Sequence, residues 1–251
     1  MVKIFYCEEI TKNYNGEAVV QDINLELNEG GFISLVGASG VGKTTLFNVL
    51  SGVDKPDNGK VFLNNKDITG LSGKVSYMLQ KDLLLEYRTV LDNVILPLLI
   101  NGEKKNTARL KAAEYFPMFG LCGYEKKYPN ELSGGMRQRA ALLRTCLAAN
   151  NVILLDEPFS SLDAITRRKM HSWYLEITEL MKISTIFITH DVEEALTLSD
   201  TVYIMNGKPG KITYKIDVKP ARSRDIGFIT SKEFAEQKLF ILKAIEDKND
   251  S

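Results

Sequence analysis

The stretch Gly37-Ala38-Ser39-Gly40-Val41-Gly42-Lys43-Thr44-Thr45 limits what this chain can fold into more than any other. An apolar run, Phe32 to Val36, precedes it, and Leu46, Phe47, Val49 and Leu50 follow. That order predicts a buried strand, a glycine loop and a helix. Glycine, four residues, glycine, lysine and threonine is the pattern of a phosphate-cradling loop. Gly37, Gly40 and Gly42 let the backbone take positive φ and approach phosphate with no Cβ in the way. The amides of Ala38, Ser39, Val41 and Thr45 then join an anion nest, reinforced by the helix N-terminus. Lys43 is placed to reach the β- and γ-phosphates, and the Thr44 hydroxyl to ligate Mg²⁺. The competing reading is a glycine turn with a chance Lys-Thr after it; strand and helix on either side favour a nucleoside triphosphate site.

At 251 residues the chain can bury a core as one domain or as two close-packed lobes. Lys plus Arg equals Asp plus Glu, so nothing in the net charge suggests nucleic acid. Cys7, Cys122 and Cys146 match no zinc spacing and suit small apolar fillers in a reducing compartment. The N-terminus lacks a signal-peptide core. The most apolar segment, Val90 to Ile100, falls short of the ~20 residues a membrane span needs. A cytosolic protein is expected, with any membrane role exerted through a partner.

Along the chain, residues 2 to 10 and 17 to 27 read as strands around an Asn-Gly turn. Further strands are predicted at 60–63, 75–79, 152–155, 185–189, 201–205 and 211–216, with helices at 164–181 and 192–198. From Thr89 to about Asn150 the pattern is helical instead: Val90, Val94, Leu98 and Leu99, then Leu110, Ala113 and Phe116, then a helix from Gly134 to Ala149. The fold expected is α/β: a P-loop NTPase (RecA-like) core with an N-terminal antiparallel β portion and an inserted helical subdomain. Its parts are 1–88 and 151–217 for the core, 89–150 for the helical subdomain and 218–251 for the tail. Phe234, Leu239, Phe240 and Ile241 are assigned to the apolar side of a tail helix.

Val152-Ile153-Leu154-Leu155-Asp156-Glu157 is an apolar strand ending in two carboxylates, where ligands of parallel sheets bind. Asp156 suits Mg²⁺; Glu157 suits the general base that deprotonates an attacking water. Pro158 is expected to keep Glu157 extended. Ser133, Gly134 and Gly135 open a helix and are either an N-cap or a second anion site. A chain with one complete phosphate loop hardly needs another for the same nucleotide.

LSGGMRQR, lying between the glycine loop and LLDEPFSSLD, resembles the signature of the ATP-binding cassette (ABC) ATPases. The resemblance spans nearly the whole chain, with the motifs in the family's order. It implies that Ser133, Gly134, Gly135 and Gln138 contact ATP held by a second subunit. It likewise implies that Gln80 is the Q-loop glutamine beside nucleotide and metal, Ser160 to Asp163 the D-loop, and His190 the switch histidine at the γ-phosphate. Tyr14 falls where the family stacks an aromatic ring on adenine, though a tyrosine in an Asn-Gly turn can also simply pack. ATP and Mg²⁺ are the cofactors implied. The partners implied are an identical or paired ATPase subunit, membrane permease subunits and, indirectly, a solute-binding protein.

Residues 46 to 131 hold no sustained heptads, and a second cassette and fused membrane helices are absent, which leaves a separate transporter subunit at the cytoplasmic face of the membrane. LQKDLLLEYRTVLDNV, ITHDVEEALTLSD and the tail ARSRD followed by SKEF resemble importers of nitrate, sulfonate, taurine or thiamine precursors. Glu86-Tyr87 departs from the Pro-Trp pair common there. Leu83 to Leu85 and Tyr87 read either as a docking patch for the membrane subunit or as ordinary core. An exporter or lipoprotein-release ATPase is the alternative, and a mechanical ATPase acting on nucleic acid a more distant one.

Overall fold

A computed structural model describes residues 2–148, 151–160, 162–219 and 226–246. Ala149, Asn150, Ser161 of the expected D-loop and the tail segment Ala221 to Asp225 lie outside the described residues. The chain opens with β1 (Lys3–Tyr14), β2 (Glu17–Asn28), β3 (Phe32–Gly37), α1 (Lys43–Leu50), β4 (Asn58–Leu63) and β5 (Lys66–Asp67). Next come β6 (Ser76–Met78), α2 (Val90–Val94), α3 (Leu96–Ile100), α4 (Lys105–Tyr115), a single 3-10 turn at Pro129–Glu131, α5 (Gly134–Ala148), β7 (Val152–Asp156) and α6 (Ala164–Leu180). The remainder is β8 (Ser184–Ile188), α7 (Val192–Leu198), β9 (Thr201–Asn206), β10 (Lys211–Asp217), α8 (Ile226–Ile229) and α9 (Lys232–Glu246).

Two compact units result: Met1–Lys74 with Lys182–Ser251, and Val75–Met181. In the first unit β3 runs parallel to both β8 and β9, and β10 closes against β9 in the antiparallel sense. Every residue of β3 and of β8 is buried, as expected for parallel strands covered on both faces. A second sheet in this unit is antiparallel, in the order β2-β1-β4-β5, with Tyr6 of β1 stacked on Phe62 of β4. The tail helix belongs to the unit's core, because Phe234, Ile241 and Ala244 pack with Val36, Val192, Leu196 and Ile204. Burying a side chain of Phe or Ile size stabilises by about 1.5–3 kcal/mol, so α9 is a substantial part of that core.

The second unit, Val75–Met181, takes in the helices expected over 89–150 together with β6, β7 and α6. Here β6 and β7 pair in parallel, Ser76 opposite Ile153 and Met78 opposite Leu155. Thr89 caps α2 by accepting from the Asp92 amide, so the change to helical pattern at Thr89 coincides with a true N-terminus. Trp173 of α6 donates to the Met118 carbonyl at 3.0 Å, with the Arg139 guanidinium over its ring.

Several expectations are corrected. Leu110 is 72% exposed, and α4 buries Ala108 and Ala112 instead, so the helix is present with its apolar face in a different phase. In α9 Leu239 and Phe240 are exposed, whereas Phe234, Ile241 and Ala244 face inward, seven and three apart. Cys7 and Cys146 are buried fillers, their thiols pushed up to about 12 by burial, but Cys122 is exposed.

Candidate nucleotide site

In the first unit the glycine loop follows β3 and turns into α1. Gly40 and Gly42 hold φ of 80° and 104°, the left-handed region that favours glycine, and Gly42 is the N-cap. Gly37 does not have positive φ, contrary to the expectation for all three glycines. Its glycine is needed because a Cβ there would overlap the Met205 carbonyl oxygen of the neighbouring strand. Val41 is buried and its amide donates to the Ala38 carbonyl, while Ser39 and Thr44 are exposed and Ala38 and Thr45 half-buried. Lys43 is 8% exposed, and its ammonium donates to the carbonyls of Gly37 (2.8 Å) and Ala38 (2.9 Å). The cation is thus held against its own loop, beside the helix N-terminus, where an anion is favoured.

At the end of β1, Tyr14 leaves its ring 42% exposed while its hydroxyl donates to Asp54 at 2.6 Å. That bond, with some burial, pushes the phenol up to about 12. Lys12 sits 5.2 Å from the ring centroid. A fixed, half-open ring flanked by a cation is a surface on which a base can stack. After β8, buried Thr189 accepts from the Asp191 amide and donates to Glu194, and Asp191 caps α7. This turn leaves His190 exposed at the strand's carboxyl end.

In the second unit β7 is wholly buried and delivers Asp156 at 7% exposure. Burial, and then the neighbouring Asp156 carboxylate, raise the Tyr77 phenol, which places Asp156 beside that tyrosine. Glu157 is not extended, as Pro158 was expected to make it: its φ is 45°. Proline disfavours right-handed helix at the preceding residue, and here the chain escapes into the left-handed region. The Ser160 amide and hydroxyl both donate to the Glu157 carbonyl and fix that turn. Holding a non-glycine residue there costs about 1–3 kcal/mol, a strain typical of functional positions. Gln80, two residues beyond β6, donates its amide to Glu157 Oε2 at 3.1 Å. The Q-loop glutamine and the carboxylate after β7, which the sequence reading treated separately, are in contact.

Ser133 caps α5, accepting from the Met136 amide at 3.4 Å, and Gly134 is exposed with Gly135 half-buried. Gln138 is buried and donates its amide to the Pro158 carbonyl, which ties α5 to the turn carrying Glu157. Asp163 caps α6 by accepting from Ile165 and Thr166, and the Thr166 bonds hold its carboxyl below the usual range.

Sequence reading missed Asn93 and Arg144. Asn93, fully buried, accepts from the Leu85 amide and donates to the carbonyls of Leu85, Arg88 and Thr89. Arg144 of α5 donates to the carbonyls of Leu83 (2.8 Å) and Asp82 (2.5 Å). Together they shape the segment after Gln80, including Leu83 at φ 46°. An asparagine and an arginine inside helical patterns gave no local signal, since their partners lie across the fold.

A lysine-clasped glycine loop after one buried strand and an Asp-Glu pair ending another define a phosphate-loop nucleoside triphosphatase. The family model described as ABC transporter matches residues 20–160, and the chain belongs to that family as an ATP-binding and ATP-hydrolysing cassette. The formylaminopyrimidine import ATP-binding protein ThiZ of Halalkalibacterium halodurans is 38% identical over 95% of this chain and 93% of its own. The aliphatic sulfonates import ATP-binding protein SsuB of Bacillus cereus is 36% identical over 95% and 94%. Among solved structures, dimeric MJ0796, a bacterial ABC transporter cassette, aligns with TM-score 0.74 and 28% identity over 87% of this chain and all of that one. A post-hydrolysis dimeric state of that cassette, bound to ADP and Pi, aligns equally well. CbiO1 of Clostridium perfringens shares the fold, with TM-score 0.80 and 23% identity over the whole of both chains. Among the described residues no helix is long and apolar enough to cross a membrane.

Proposed function

We propose that this chain drives uptake of a small solute through separate membrane subunits, hydrolysing ATP between two paired copies. The observation that carries the direction of transport is similarity along nearly the whole chain to ATP-binding proteins named for import. Lys43 exchanges its two loop carbonyls for the β- and γ-phosphates, while the loop amides and the start of α1 hold the remaining phosphate oxygens. Tyr14 stacks on adenine. Glu157 accepts the proton of the attacking water as its oxygen bonds to the γ-phosphorus and the bond to ADP breaks; His190 steadies the γ-phosphate.

The donor set suits Mg²⁺, a hard cation that takes one or two protein oxygens besides phosphate and water. Thr44 offers an exposed hydroxyl, Asp156 a carboxylate, and Gln80 the amide oxygen left over while its NH₂ binds Glu157. When bound, the ion neutralises phosphate charge. Ser133, Gly134, Gly135 and Gln138 complete the site of the second copy, with Asp163 at the same seam. The dimeric form of the MJ0796 cassette supports this pairing. Leu79, Leu83 and Tyr87, exposed at 41%, 51% and 75%, are the apolar surface on which a membrane subunit docks, at the cytoplasmic side. Leu84 is buried beneath them, so part of the expected patch is core. Solute selectivity resides in the membrane and binding-protein partners.

The test is Glu157→Gln beside Lys43→Ala. The first is expected to retain ATP binding, lose at least ~100-fold in hydrolysis and accumulate as a nucleotide-bound dimer, in line with general-base contributions. The second loses ATP affinity. Parental hydrolysis by Glu157→Gln, measured as phosphate release, overturns the assignment of the base.

A further inference from the structure

Helix α9 buries one face and presents an ordered pattern on the other. Phe234, Ile241 and Ala244 point into the core, while Ala235, Leu239 and Leu242 are exposed, the two leucines at 53% and 38%. Spacings of four and three residues, continued by Glu246, make these a single stripe along the helix. Phe240 is not part of it, since its ring packs edge-on against Tyr214 of β10 at 5.6 Å. Beside the stripe run Lys232, Glu236 and Lys243. Lys232 reaches Glu236 at 3.4 Å, but with side chains 85% and 65% exposed that pair is weak and readily exchanged.

We infer that the stripe is a self-association surface, on which α9 packs antiparallel against α9 of a second copy with the two-fold axis at Leu239. The charge pattern selects this occupant. Leu239 is the midpoint of α9, so in such a pair positions equally far before and after it face each other. Lys232, seven residues before, faces Glu246, seven after, of the second copy. Glu236, three before, meets Lys243, four after, and two-fold symmetry makes every pairing twice. Parallel packing of the same helices sets Lys232 against Lys232 and Glu236 against Glu236, which is repulsive. The apolar strip is narrow, and its contact is strengthened when two copies are already tethered by other means. It uses none of the nucleotide-site residues, so it stands or falls separately from the ATP-dependent pairing.

The experiment is cysteine cross-linking of the full chain without nucleotide, at high protein concentration, in a Cys122→Ser background that removes the exposed native thiol. Only a residue on the two-fold axis can bond to its own copy. Leu239→Cys is expected to form a disulfide dimer at least about tenfold faster than Glu233→Cys, which lies off the stripe and far from the axis. Glu236→Lys slows the Leu239→Cys dimer, and adding Lys243→Glu to that variant restores it. Thermal unfolding of each variant confirms that the fold is kept. Equal rates at positions 233 and 239, no dimer through position 239, or indifference to the charge reversals overturns the inference.

Discussion

The Asn93 amide illustrates how a single residue can organise a functional segment. It satisfies four backbone groups of Leu85, Arg88 and Thr89 from a fully buried position. Removing it strips the Leu85 amide and the Arg88 carbonyl of this partner, each costing about 1–3 kcal/mol where water cannot reach, while the Leu85 and Thr89 carbonyls still accept from the Arg88 and Asn93 amides. Asn93→Ala is therefore expected to destabilise the protein by about 2–4 kcal/mol in urea unfolding. A loss below ~0.5 kcal/mol, the ordinary range for surface changes, would show that water replaces the amide. Glu157 presents the opposite situation. Its left-handed backbone is strained, and its carboxylate accepts from the Gln80 amide.

Among elements, the contact of α5 with the loop after β6 matters most for coupling. Arg144 grips the carbonyls of Asp82 and Leu83, and Arg137 approaches the Asp82 carboxylate at 3.3 Å. The helix that begins with Ser133 thereby holds the segment bearing Leu83 and Tyr87. Arg144→Met removes two charge-assisted bonds, about 1.5–3 kcal/mol each. Amide exchange across residues 82–88 should rise at least ~10-fold while that in β3 stays at the parental rate, a local opening. Exchange that rises evenly over the whole chain would indicate global destabilisation instead. In the other unit Glu26 of β2 pairs with Lys215 of β10 (2.6 Å) and Lys3 of β1 (2.5 Å). The Lys215 bond first, then that of Lys3, holds its carboxyl below the usual range. A depressed carboxylate contributes stability above its unfolded pKa of about 4.3 and loses it as pH falls through the lower folded value. Glu26→Gln is thus expected to cost less than about 1 kcal/mol at neutral pH, the pair being partly exposed, with a difference that shrinks on acidification below pH ~4. Melting curves of both proteins across pH 3 to 7 would check the sign.

For the whole molecule, the proposed pairing has one decisive consequence: a complete site requires a second copy. Specific phosphate release per chain is expected to rise with protein concentration, approaching about tenfold per decade well below the dimer dissociation constant and levelling off above it. Constant specific activity down to nanomolar chain would mean that one copy suffices. Sedimentation of Glu157→Gln with and without ATP gives the same answer independently of turnover.

The order of motifs, the glycine loop, the buried strand ending in Asp156 and Glu157 and the cap at Ser133 were legible in the residues alone. Each depends on local pattern: apolar runs, glycines where backbone must approach an anion, and a hydroxyl before a helix. What the sequence could not determine is equally specific. Gly37 is glycine because the Met205 carbonyl lies against it, and Glu157 turns left-handed because its carbonyl is held by Ser160. Leu110 and Leu239 face outward although their spacing suits a core, since burial depends on which neighbouring surface a helix meets. Asn93 and Arg144 act through carbonyls 4 to 62 residues away. Local pattern fixes which elements form and where phosphate binds; only tertiary packing decides which atoms those elements bring within hydrogen-bond reach.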